Sequence, residues 1–214
     1  MNHHGFAYTV NGLYPNFIAH GRLPRQIVNR ALLSVQNEAE LDQILNSSSV
    51  AYGFCINAGF FYQQDYLLNY EIGPNLKLEN TNYVSKCRII DSEEKSSFDD
   101  DSCERLNYLV HYNHYERLDD VIVQQKALES SRSRWTRGQT LGEINNIDDA
   151  IQLLGDDENP QYPIFRSVKK KESNSCTLCT AHIDFRQSKL IIYEANPKET
   201  NQALSIFDIK NLFD

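Results

Sequence analysis

The chain opens on alternation. In "GFAYTVNGLYP" Phe6, Tyr8 and Val10 fall on one parity and Thr9 and Asn11 on the other, the pattern of a strand that ends at a Gly and a Pro. The period then changes. Ile27, Val28, Ala31, Leu32 and Val35 form an apolar stripe at helical spacing behind Pro24, a residue suited to the first helical position. Asn37 is placed to cap a second helix, Glu38 and Glu40 suit the positive end of its dipole, and Leu41, Ile44 and Leu45 supply its buried face. "VAYGFCINAGFFY" and "YLLNYEI" read as an antiparallel hairpin joined at "QQD". An acidic insertion of little period is expected over about 79–104, after which "RLNYLVHYNHY" resumes β character. A helix around "VQQKALESSRSRW" and another over "NIDDAIQLLG", capped by Asn146 and closed by Gly155, come next. The final hairpin, "CTLCTAHIDF" and "KLIIYEAN" around "RQS", has the clearest pattern. Strands and helices in this order predict an α+β fold.

Composition narrows this picture. With 214 residues and 41% hydrophobic content the chain can bury a sizeable core, and its length fits one domain or a domain and a half, read as a single partial domain over 1–214. The formal charge of −8 is concentrated in "DSEEKSSFDDDSCE", which holds seven acidic residues and one lysine. Such a run repels phosphate and no basic stripe offsets it, the short "KKK" at 169–171 reading as a loop, so nucleic acid is not an expected partner. No stretch approaches the ~18 apolar residues of a membrane span, and the N-terminus lacks a signal-type segment, so no membrane partner and a cytoplasmic location are expected. Cys55, Cys87, Cys103, Cys176 and Cys179 are odd in number and scattered, which suits reduced thiols rather than a disulfide framework.

Chemistry-bearing residues concentrate in "HYNHYERL". His111 and His114 have a ligand spacing for a helix, but in a strand His111 shares its face with Asn113 and His114 lies opposite with Tyr112. A zinc site needs three or four ligands and nothing nearby completes the set, so no metal is expected. The "CTLC" cysteines, placed in a strand, face opposite sides of a sheet and read as half-buried strand residues. There is no GxSxG, no Gly-rich phosphate loop and no HExxH. What rises above background is a pair of asparagines at strand ends, Asn11 and Asn113, whose amides are turn formers or donors to an oxyanion.

Four blocks in order, "HGFAYTVNGLYP", "LPRQIVNRALLSVQNEAELDQIL", "HYNHYERL" and "TLCTAHIDFRQSKLIIYEANP", resemble the later part of the acyl-coenzyme A:6-aminopenicillanate acyltransferase family of N-terminal-nucleophile (Ntn) hydrolases, with the Tan-like β-alanyl-dopamine (carcinine) hydrolases as the nearest branch. The resemblance implies a four-layer αββα sandwich, no cofactor, and hydrolysis of an amide bond or acyl transfer through a cysteine thioester. Its substrate class would be a small N-acyl amine such as a β-alanyl biogenic amine. It also implies that Asn113 and Asn11 are the oxyanion donors, with His111 and His114 behind them as supports.

One departure from the family pattern shapes the expectations further. The family nucleophile, a Cys after Gly and before Thr or Ser, lies many tens of residues before the segment matched by "HGFAYTVN", and none of the five cysteines here occupies that place. The chain is thus expected to be the distal part of such a sandwich, lacking its N-terminal part, with the missing segment or α-subunit as its partner. Alone it is expected to be inactive and poorly soluble, its first strand left without a neighbour. The alternative is a catalytically inactive truncated isoform that acts as an interaction protein through its acidic loop.

Overall fold

The structure, a computed structural model, describes residues 1–78, 81–90, 104–118, 128–167, 175–200 and 202–212. They gather into two compact units, the first within 1–118 and the second within 128–212.

The first unit is a sheet of five strands in the order β1-β2-β3-β4-β5. Strands β1 (Phe6–Gly12), β2 (Phe54–Phe60), β3 (Gln63–Pro74) and β4 (Asn82–Ile90) are antiparallel neighbours, and the short β5 (Glu104–Leu106) adds parallel to β4. Residues 82–90, expected within an insertion, are therefore a strand, while the acidic run 91–103 lies outside the described residues. β1 pairs with β2 along its whole length, from Phe6 opposite Phe60 to Gly12 opposite Phe54, so it has a neighbour after all.

Because side chains alternate across a strand, the register sorts this sheet into two unlike faces. On one lie Phe6, Phe54, Ile56, Leu68, Tyr70 and Ile72, all fully buried. They pack against Val28, Leu32 and Val35 from helix α1 (Arg25–Leu32) and its exit, and Leu41 and Leu45 from α2 (Glu38–Ser47). Full burial of such a side chain contributes roughly 1.5–3 kcal/mol, which makes this layer the main source of the unit's stability. Asn37 caps α2 as expected, accepting from Glu40 N at 3.0 Å. Charges then set the helix on the sheet: Lys86 meets Glu38 (2.5 Å) and Asp42 (2.8 Å), and Arg88 meets Glu38 (2.9 Å). The opposite face carries Asn11, Cys55, Glu71 and Ser85 in one row across β1 to β4, and Thr9, Asn57, Asn69 and Cys87 in the next.

The hairpin turn falls at Phe61 and Tyr62, not at "QQD", which already belongs to β3. Two aromatic residues serve as a turn because tertiary bonds hold them: Phe61 N donates to Gly5 O (2.9 Å) and Tyr62 Oη to Gln36 O (2.8 Å).

The second unit has helices α3 (Glu129–Gln139) and α4 (Ile147–Leu154), a sheet of β6 (Thr180–Asp184), β7 (Lys189–Tyr193) and β8 (Ser205–Asp208) in that order, and the short helix α5 (Pro197–Thr200). Asn146 caps α4, accepting from Asp149 N at 3.0 Å, and Gly155 follows its last turn. The buried Asp156 is gripped in bidentate fashion by Arg137 (3.0 and 2.7 Å), and these bonds outweigh burial and hold its carboxyl below the usual range. Cys176 and Cys179 precede β6 and are both exposed, which corrects their expected place as half-buried strand residues. Their stretch bonds outside the sheet instead: Thr177 N donates to Arg166 O (2.8 Å), and Arg166 N to Thr177 Oγ1 (2.9 Å). Among the described residues no helix is long and apolar enough to cross a membrane.

Candidate active site

Beyond β5, residues 107–118 are not a strand, and the last three amides of the stretch are taken by a side chain. Glu116 N donates to Glu71 Oε1 (2.9 Å), and Arg117 N and Leu118 N to Oε2 (2.9 and 3.1 Å). Three successive amides wrapped on one carboxylate form an anion nest. The segment so held covers the polar face of the first sheet, where Tyr115 and Leu118 pack with Leu13 and Cys55.

Glu71 is fully buried, and its Oε1 also meets His111 Nε2 at 2.9 Å. Burying a lone carboxylate is costly, so the nest and the imidazole are what keep the charge there. Burial works to raise the Glu71 pKa, but the His111 bond, the Arg117 charge and the Glu116 N–H outweigh it and hold the carboxyl below its ordinary range. Burial likewise works against charge on His111, yet the adjoining Cys55 thiol and the Glu71 carboxylate push its pKa up to about 10. Both directions favour an imidazolium beside a carboxylate. The thiol lies beside the ring, whose Nδ1 is buried and, among the described residues, has no hydrogen-bond partner. Cys55 Sγ in turn accepts from Asn69 Nδ2 (3.1 Å), and Arg117 binds both the Asn69 Oδ1 and, through Nε, Ser85 Oγ (3.1 Å).

The two asparagines singled out from sequence meet at this junction and clasp it from both sides. Asn11, at the end of β1, donates from Nδ2 to the carbonyl oxygens of His111 (2.9 Å) and Tyr112 (3.4 Å). Asn113 donates from Nδ2 to Gly12 O (3.1 Å). Both N–H bonds of the Asn11 amide thus have carbonyl partners, so donation to a developing oxyanion requires that one of them be exchanged. His111 turns to Glu71, while His114 lies on the other side, stacked with Tyr112 (centroids 6.4 Å apart, planes at 14°) and 3.9 Å from Glu116 Oε1.

Glu71 and Cys55 were not candidates from sequence. A single Glu in "YLLNYEIGP" looks like the solvent side of a strand, and its partners lie 40 to 47 residues later. The one usable signal is parity: Cys55 and Asn57 in β2, and Asn69 and Glu71 in β3, place their polar groups on a single face between apolar alternates.

Comparison with known proteins bears on the same residues. The family model described as acyl-coenzyme A:6-aminopenicillanic acid acyl-transferase matches residues 1–199. The beta-alanyl-dopamine/carcinine hydrolase of Drosophila melanogaster is 25% identical over 210 residues, covering 93% of this chain and 49% of the relative. The chain thus spans about half the length of that relative.

Proposed function

Because the chain belongs to the acyl-coenzyme A:6-aminopenicillanic acid acyl-transferase family, we propose that it serves the cleavage of an amide bond in a small N-acyl amine, by hydrolysis or acyl transfer, with a β-alanyl amine as substrate. The relative's name supports that substrate class. The observation that carries the proposal is the clasp of Asn11 and Asn113 between the end of β1 and the buried Glu71 nest.

The chemistry proceeds through a cysteine thiolate that adds to the amide carbonyl carbon. The oxygen takes the negative charge, the C–N bond breaks as the amine gains a proton, and water then cleaves the thioester. Asn113 and Asn11 donate to that oxygen, and loss of one such donor costs about 3 kcal/mol. The thiol comes from family sequence that these 214 residues do not span, so the 214 residues alone are expected not to turn over. Among the described cysteines, Cys55 and Cys87 are fully buried, unable to meet a substrate. Four described cysteines without disulfides suit a reducing cytoplasm. The αββα sandwich is part of the same reading, supported by a helix pair packed on one face of the five-stranded sheet.

The test is release of β-alanine from carcinine and from β-alanyl-dopamine by the longest product of the gene. The expected result is release that iodoacetamide abolishes. No release from either amide would contradict the proposal.

A further inference from the structure

We propose that Glu71 and His111 are positioning residues: a buried carboxylate and imidazole that fix residues 111–118 on the sheet and so set the amides of Asn11 and Asn113 where they work. This rests on the reading of those amides as oxyanion donors.

The geometry is convergent. One carboxylate takes four donors from a single segment, three backbone amides and an imidazole, at 2.9 to 3.1 Å. The acceptors that receive Asn11 are the carbonyls of His111 and Tyr112, and Asn113 follows directly. Thus the residue tethered by Glu71 carries one end of the clasp, and a shift of its backbone moves both asparagines. An apolar residue at position 71 would leave three amides unsatisfied, so the carboxylate defines one conformation of the segment. Buried ion pairs add little net stability over apolar packing, and their best attested use is to specify register, which is the use here. The charged and titratable groups facing the pair are Cys55 from β2, opposite Glu71 in register, and Tyr115 and Arg117 from the segment itself.

The pair is tested by ring-labelled histidine NMR and amide exchange on the protein, without substrate. In the wild type, His111 is expected to show no titration step between about pH 5 and about 8.5, because its carboxylate partner holds the proton. In Glu71→Gln, a step is expected at or below about 6.5, with exchange of the 116–118 amides at least about tenfold faster as local opening becomes easier. In the product assayed for β-alanine release, Glu71→Gln is expected to lower kcat about a hundredfold, as a misplaced donor does, with KM changed less than about threefold and a new pH limb in kcat that tracks His111. A wild-type His111 that titrates near about 6.5 would overturn the proposal. So would a Glu71→Gln protein whose 116–118 exchange and Asn113 side-chain amide signals match the wild type. The wild-type titration needs no variant, so the proposal can be refuted even if Glu71→Gln does not fold. Normal turnover by Asn113→Ala, with the NMR results as expected, would overturn the oxyanion reading alone.

Discussion

Single residues carry the account where space or charge leaves no substitute. A Cβ added at Gly53 would stand 1.8 Å from Tyr115 Oη, the hydroxyl that donates to Ile72 O at 3.2 Å. Gly53→Ala must therefore push Tyr115 off the sheet, at a cost of about 1–3 kcal/mol, read as a lower urea midpoint. Asn113→Ala is expected to lower turnover about a hundredfold in a product that releases β-alanine, and Asn11→Ala less, since a backbone N–H at the turn can supply its contact. Of the candidate site, the sequence made Asn113 and the histidines at 111 and 114 visible because polar residues crowd one stretch, and Asn11 because it closes a strand. The carboxylate they are built around was hidden, since burial of Glu71 depends on a segment some 40 residues away whose own pattern looked like a strand.

Elements were legible where local signals agreed with tertiary context. β1, α2 and α4 lie where alternation, helical spacing and caps put them, and Asn146 and Asn37 cap as their positions suggested. Asn146→Ala should cost about 1 kcal/mol, seen as a loss of helix and a lower melting point, while the mutant keeps the same sheets. Elements were misread where side chains or distant backbone took the hydrogen bonds. "RLNYLVHYNHY" looks like a strand, but its pairing stops at Leu106 and the chain beyond is held on the sheet by the amides of 116–118 on Glu71; the "QQD" turn moved to Phe61 and Tyr62, held by Gly5 and Gln36; "CTLC" bonds to Arg166 rather than to a neighbouring strand. No local propensity records these partners.

At the scale of the whole molecule, the buried pair gives stability a pH signature. The Glu71 carboxyl, depressed in the fold, contributes stability that is present above its ordinary pKa of 4.5 and is lost as pH falls through the folded value. His111, raised from 6.5 to about 10, contributes stability that is full below 6.5 and is lost as pH rises toward 10. The difference in unfolding free energy between wild type and His111→Gln is thus expected to shrink steadily over that upper window, followed by urea titration at successive pH values. A flat difference would place the proton elsewhere. The α+β class follows from periodicity alone; the two-faced sheet, with an apolar face for helices and a polar face for chemistry, needed the register. Its polar face is where the central claim lies, and that claim is tested most directly by kcat for β-alanine release from carcinine in wild type and Asn113→Ala, measured side by side on products of equal folded fraction. A loss of about a hundredfold in kcat, with KM little changed, is the predicted result; equal kcat values would contradict it.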